Sequence, residues 1–420
     1  MSYTYTDKIK FAYTPNFDSF GRLRVSEPLT LFDSSHRFRD NGMWTTSTSG
    51  GGAATFNANQ GLIDLTVTNA NGDQIIRETY KVFSYQPGKS LLSLNTFVFS
   101  PTKTGLRQRV GYFGAANGIF LQLNESTLSF VERSSVTGVL VDKPISQFGG
   151  VYGPEDTGWN VDPMDGTGPS GITLDIEKAQ ILWMDFEWLG TGSVRCGFVI
   201  NGEFYISHIF HHSNIITTTY ITTACLPIRY ELTNTALTAS PSNLKQICSS
   251  MISEGGYELR GESCSISNPI TAPYTLTLSG VYYPVISIRL KSTSLDGVAI
   301  PTLMDCFPKD PGNYQWKLIE SGTTTGGSWT SLGTDSIVEY NISGTSFTGG
   351  KTIHSGFFSA SNQGGGKSGG LGKEGLFDHQ LARNSFTSTT FEFTLAVAIE
   401  TAGGGGNQVF AHIDWEEITR

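Results

Sequence analysis

The sequence predicts an all-β protein: a jelly-roll-like antiparallel β-sandwich followed by a second, smaller β domain, with an extended N-terminal arm. Three observations lead there. The first is strict alternation between Ile181 and Phe210. Leu182, Met184, Phe186 and Trp188 alternate with Trp183, Asp185 and Glu187, and Val194, Cys196, Phe198 and Ile200 with Arg195, Gly197 and Val199; period two marks strands with one apolar face. Between the second and third of these strands stands Asn201-Gly202, a pair that accepts the positive φ angles a tight hairpin turn requires. The second observation is composition. Only 15% of the 420 residues are charged while 49 are glycine, and with 12% aromatics this favours strands and turns over helices. The third is spacing, since short apolar-alternating runs recur along nearly the whole chain, the pattern of sandwiches and barrels.

Taken in order, residues 1–40 read as an anchoring arm. Phe17 to Pro28 has aromatic residues and arginines but no clean period, and Leu29 to Asp33 suits the beginning of a strand. Phe17, Phe20, Arg22, Arg24 and Phe32 are the expected assembly contacts of this arm. Residues 41–270 carry the lectin-like sandwich, with strands expected at 62–67, 74–83, 91–99, 107–113, 119–123, 128–132, 139–141, 172–176, the three just described, 215–223 and 228–232. Gly149 to Gly171 is a Gly/Pro/Asp loop, and Leu244 to Cys248 suits a short turn of helix. Residues 271–420 form the C-terminal β domain, with strands expected at 281–290, 314–320, 336–342, 352–358, 391–400 and 408–416. Ser361 to Gly372 is a low-complexity glycine loop without the spacing of a phosphate-binding motif.

Composition bounds the function. A net charge of −9 without a Lys/Arg run argues against nucleic acid as a partner. No apolar run approaches the length of a membrane span, so no membrane insertion is expected. The opening Met1 to Asp7 has no apolar core of a secretory signal. The five scattered cysteines form no CxxC pair, which suits reduced thiols in a protein folded in a cytoplasm. His208, His211 and His212 lack a carboxylate or cysteine at ligand spacing, so no metal and no other cofactor is expected.

One polar constellation stands out. A two-residue turn at Asn201-Gly202 sets Arg195 opposite His208, and a five-residue loop pairing Trp188 with Val194 sets Glu187 opposite Arg195. Trp183, Asp185, Glu187, Arg195 and His208 would then share one sheet face. Such a face suits a sugar, with carboxylates and Arg for hydroxyls and Trp183 for stacking; it equally suits a solvated face laced by weak ion pairs. Asp185 and Glu187 also fit the separation of a glycosidase pair, but the third acid of the β-sandwich glucanase pattern E-x-D-x-x-E is absent. The expectation is therefore a protein that is not an enzyme.

The segment Phe17-Asp-Ser-Phe-Gly-Arg-Leu-Arg-Val-Ser-Glu-Pro-Leu-Thr-Leu-Phe-Asp33 resembles the N-terminal signature of a family of tailed-bacteriophage virion structural proteins, notably of phages of aquatic bacteria. Phe186-Glu-Trp-Leu-Gly190, Val194-Arg-Cys-Gly-Phe198, Ile209-Phe-His-His-Ser-Asn214 and Val409-Phe-Ala-His-Ile-Asp-Trp-Glu-Glu417 are similar to it as well, and the central motif also resembles concanavalin-like lectin sandwiches. The resemblance implies a virion component, in tail, appendage or capsid decoration, folded in the host cytoplasm. Its implied partners are other virion proteins and copies of itself. A host surface glycan is the partner in the alternative reading as an adhesion module, and a glycan depolymerase is the second alternative.

Overall fold

Alternating apolar residues leave each strand with one face to bury, and the chain does so by stacking sheets in pairs. The computed structural model describes residues 27–149, 158–258, 260–361, 364–367, 369–371 and 379–419. Among them every regular element is a strand, and every ladder between strands is antiparallel. The all-β expectation holds.

The first lobe contains β1 (Leu29–Ser35), β2 (Trp44–Ser49), β3 (Ala53–Asn57), β4 (Leu62–Val67), β5 (Gln74–Thr79), β6 (Phe83–Ser84), β7 (Leu91–Val98), β8 (Leu106–Phe113), β9 (Gly118–Asn124), β10 (Thr127–Ser134), β11 (Val141–Ser146), β12 (Gln180–Phe186), β13 (Val194–Ile200), β14 (Glu203–Phe210), β15 (Cys225–Leu226), β16 (Ile228–Asn234) and β17 (Ser242–Ser253). One sheet runs β14-β13-β12-β7-β17-β4-β3, with β1 also pairing β17, and the facing sheet runs β11-β10-β9-β8-β16-β5-β2. Their inner faces meet in one core that includes Leu182, Met184, Phe186 and Phe198 from the first and Tyr112, Phe130 and Tyr230 from the second. Strand β1 lies inside this sandwich, so the sandwich begins before the arm boundary expected at residue 40.

The second lobe pairs a five-stranded sheet, built on Val298–Pro308 and the final strand Asn407–Thr419, with a seven-stranded one. The longer sheet has Tyr283–Leu290, Glu392–Ile399, Gly312–Thr325 and Ser346–Ser361 side by side at its centre. Its core includes Leu318, Leu395, Val397 and Trp415. Glu262–Ser267 pairs with Asn407–Thr419, so the second lobe takes up the chain before residue 270.

Three local expectations fail for a shared reason. Leu244 to Cys248 is strand, part of β17, because both edges of that segment find partners in β4 and β7. Residues 172–176 and 215–223 form no strand. Ile172, Leu174, Ile176 and Ile216 instead pack as loop residues over the core. Burial fixed all three, and burial is not visible in a local pattern.

Candidate binding surfaces

The meander β12-β13-β14 folds as expected at its turn. Asn201 and Gly202 take φ angles of 55° and 84°, and Ile200 pairs with Glu203. The register beyond it differs from expectation in two ways. Phe186, not Trp188, pairs with Val194, so Asp185 rather than Glu187 stands opposite Arg195. Leu189 and Gly190 adopt positive φ within the longer loop, and Glu187 is exposed at its start. In β14, Ser207 is an extra residue, a β-bulge: Gly197 pairs with Ile206 but Cys196 pairs with His208. Side chains alternate strictly, so one inserted residue moves everything beyond it to the other face. His208 therefore points inward, buried, with its ring 4.5 Å from that of Phe210 and stacked at 6.4 Å on Phe130. The bulge is held from outside, where the Ser207 carbonyl accepts the amides of Val161 and Asp162 at 3.2 and 3.1 Å.

Of the five residues expected to share a face, the structure brings together Trp183, Asp185 and Arg195, on the side of the sheet away from the core. Trp183 is only 4% exposed: it lies over Gly197, bonds the Tyr205 carbonyl through Nε1 at 3.2 Å, and packs edge-on against Phe204 at 5.4 Å. Asp185 accepts hydrogen bonds from Arg195 and from the Ser90 hydroxyl. His212, buried just after β14, sets its two ring nitrogens 2.6 Å from the Gly192 carbonyl and 2.6 Å from the Glu132 carboxylate, and stacks on Tyr220 at 3.9 Å. Among the described residues no three His, Cys, Asp or Glu side chains gather as a metal site would require.

Of the arm contacts, Phe17, Phe20, Arg22 and Arg24 lie outside the described residues. Phe32 does not face a neighbour. It is buried in the protein's own core, 5.9 Å from the Trp44 ring and 5.2 Å from Phe83, because pairing of β1 with β17 turns it inward.

Three features escape sequence reasoning. The first is a charged layer on the outer face of the β8-β9-β10 sheet. Arg109 and Arg133 cover the Phe120 ring at 5.0 and 5.1 Å and Arg229 covers Phe113 at 5.5 Å. The guanidinium groups also pair with Glu231 at 3.3 Å, Asp142 at 2.7 Å and Glu78 at 2.5 Å. Burial alone would raise the Asp142 carboxyl, but hydrogen bonds from Arg133 and the charges of Arg133 and Arg109 hold it below the usual range. The second lobe completes the layer. Arg383 reaches Glu78 at 2.9 Å, Ser385 bonds the same carboxylate, and Phe386 receives Arg229 at 5.7 Å. Val82, Cys225, Val298 and Ile300 form a small apolar cluster between the lobes.

The second is an apolar tip at the β10-β11 hairpin. Val139 and Leu140 are 67% and 52% exposed and Phe148, at the far end of β11, 71%. Strand β11 is the last strand of its sheet among the described residues.

The third is a cleft of about 570 Å³ on the second lobe, lined by Tyr282, Asn313, Gln315, Phe357, Ala398 and Glu400 among others. Its residues come from three strands and the segment leading into a fourth, and only alternation within each strand was legible.

No family model and no curated protein matches this chain. Solved structures do. The carbohydrate recognition domain of Emp47p aligns with 10% identity and a TM-score of 0.33, over 54% of this chain and 97% of that one. The CBM2 module of the evolved Dit of Lactobacillus casei BL23 phage J-1 aligns with 7% identity and a TM-score of 0.36, over 56% and 100%. A protein of unknown function, SO2946 from Shewanella oneidensis MR-1, aligns with 9% identity and a TM-score of 0.33, over 61% and 97%. At such identities and scores no function transfers from them.

Proposed function

We propose that the chain is a non-enzymatic structural component of a tailed-bacteriophage particle, assembling with other virion proteins through its N-terminal segment and the β10-β11 hairpin. The observation that carries this reading is the hairpin. Val139 and Leu140 at its tip, and Phe148 past the other end of β11, leave apolar side chains exposed at both ends of one sheet edge. Pro144 withholds one backbone donor from that edge, so the contact runs through side chains rather than by strand addition. The signature-like segment Phe17 to Asp33 supports the choice of a virion as the assembly. The non-enzymatic part rests on Asp185, whose carboxylate is taken up by Arg195 and Ser90 and leaves no acid free beside Glu187.

The test is localisation in purified particles by cryo-electron microscopy, alongside particles complemented with Leu140→Glu or with a chain lacking residues 1–26. Wild-type chain should be present at a repeated position, and each variant should fold but fail to incorporate. Particles that lack the chain altogether, or that incorporate both variants normally, would refute the proposal. Truncation stops at residue 26 because removing β1 would unpair β17.

A further inference from the structure

We infer that the cleft on the seven-stranded sheet of the second lobe is a binding site for a neutral oligosaccharide. The inference does not rest on the virion reading, since it concerns a property of the purified chain.

The sheet builds the site from a single cross-strand row. Gln315 pairs with Phe357 on one side and with Ala398 on the other, and Tyr283, one residue after Tyr282, pairs with Val397 beside Ala398. Three adjacent strands and the residue just before a fourth thus place Tyr282, Ala398, Gln315 and Phe357 in sequence across the outer face. At the usual strand spacing the two aromatic residues stand about 14 Å apart at their backbones. Ala398 and the short reach of its methyl keep the floor between them low. Phe357 is 78% exposed, more than any other large apolar side chain among the described residues of the second lobe apart from Ile270. A bare ring beside polar groups offers a stacking surface for the C–H face of a sugar.

The polar groups are arranged for hydroxyls. The Tyr282 hydroxyl donates to Gln315 Oε1, and Lys317 sits 3.9 Å above the Tyr282 ring, so that ring is held in place. The Gln315 amide NH₂ has no partner among the described residues and remains a donor. Asn313 Nδ2 donates to Glu400 Oε2 at 2.7 Å, which leaves Asn313 Oδ1 and Glu400 Oε1 as acceptors. A donor and two acceptors within one cleft match vicinal hydroxyls, each of which gives and receives a hydrogen bond. Glu400 is the only charged residue lining the cleft among the described residues. The Glu400 carboxylate on the wall disfavours phosphates and uronates, and Lys317 is already engaged by the Tyr282 ring, which together select a neutral saccharide. A volume of about 570 Å³ lies within the range of small-ligand sites.

The test uses the full chain on an array of neutral glucan, galactan, mannan and rhamnan oligomers, with hits titrated by calorimetry. Wild-type protein should bind at least one with a Kd better than about 10 mM. Phe357→Ala should weaken that binding about tenfold or more, and Gln315→Ala and Glu400→Gln several-fold. All three positions lie at the surface of the cleft, so the thermal midpoint should stay unchanged, and Arg195→Ala on the first lobe should bind as wild type. Failure of every oligomer to bind overturns the inference. So does binding that survives Phe357→Ala and Gln315→Ala together, or a cleft found covered by another protein subunit in the particle. An empty array with normal incorporation would sink only this site, and binding without incorporation only the virion reading.

Discussion

Replacing Arg383 tests whether the two lobes act as one unit. Its guanidinium is 2% exposed and lies 2.9 Å from Glu78, a carboxylate with no solvent exposure. It also donates to the Thr79 carbonyl at 3.0 Å. Arg383→Met keeps most of the volume and removes the charge, so the loss is electrostatic. Breaking a buried pair by deleting one partner costs about 3–5 kcal/mol. Here Arg229 still faces Glu78, through Nη2 at 2.5 Å and Nε at 2.9 Å, so the expected loss falls at the lower end, about 3 kcal/mol. Urea unfolding followed by tryptophan fluorescence reads it, because the seven tryptophans are divided between the lobes. The wild type should unfold in one transition and the variant earlier, with the lobes separating into two. Glu78→Gln and the double variant complete a cycle. The double variant should lose less than the sum of the singles by about 1–3 kcal/mol, as for groups in direct contact. A loss under about 1 kcal/mol for Arg383→Met, or strict additivity in the cycle, would refute the buried-lock argument.

Other outcomes follow from the same geometry. Gly197→Ala should lower stability by about 2 kcal/mol or more in thermal melts, because the added methyl runs into the Tyr205 carbonyl and under the Trp183 indole. Asp185→Asn should cost only about 1 kcal/mol, since its Arg195 partner is half exposed, and should leave any reducing-end release from polysaccharide at background. His36 is buried and flanked by Arg77, and burial first and that charge second lower its pKa from 6.5 to about 4. The unfolded chain therefore takes up a proton that the folded one refuses, so stability should fall as pH drops from 6.5 to 4 and be flat above; in His36→Leu that part of the fall should vanish from urea midpoints. Asp142, held below the usual carboxylate range, adds stability above the unfolded carboxylate pKa that is lost as pH falls through its folded value; Asp142→Asn should flatten that acid limb.

The local pattern carried much of the architecture. Strands such as β7, β8, β12 and β13 are written in alternation, and the Asn201-Gly202 turn in two residues whose backbones tolerate positive φ. These are properties of a residue and its immediate neighbours, so the sequence alone determined the all-β class and the central meander. Register is different. It depends on which pairing buries the most surface, and one extra residue, Ser207, reversed the face of His208. That is why three residues of the expected polar face came together while His208 went to the core and Glu187 to the loop. The Glu78–Arg383 lock joins residues 305 apart in the chain, and the row from Tyr282 to Phe357 joins three strands and the entry to a fourth. Only tertiary structure decided these, because each needs distant segments brought side by side by the packing of two cores, and nothing local to any one residue encodes its partner.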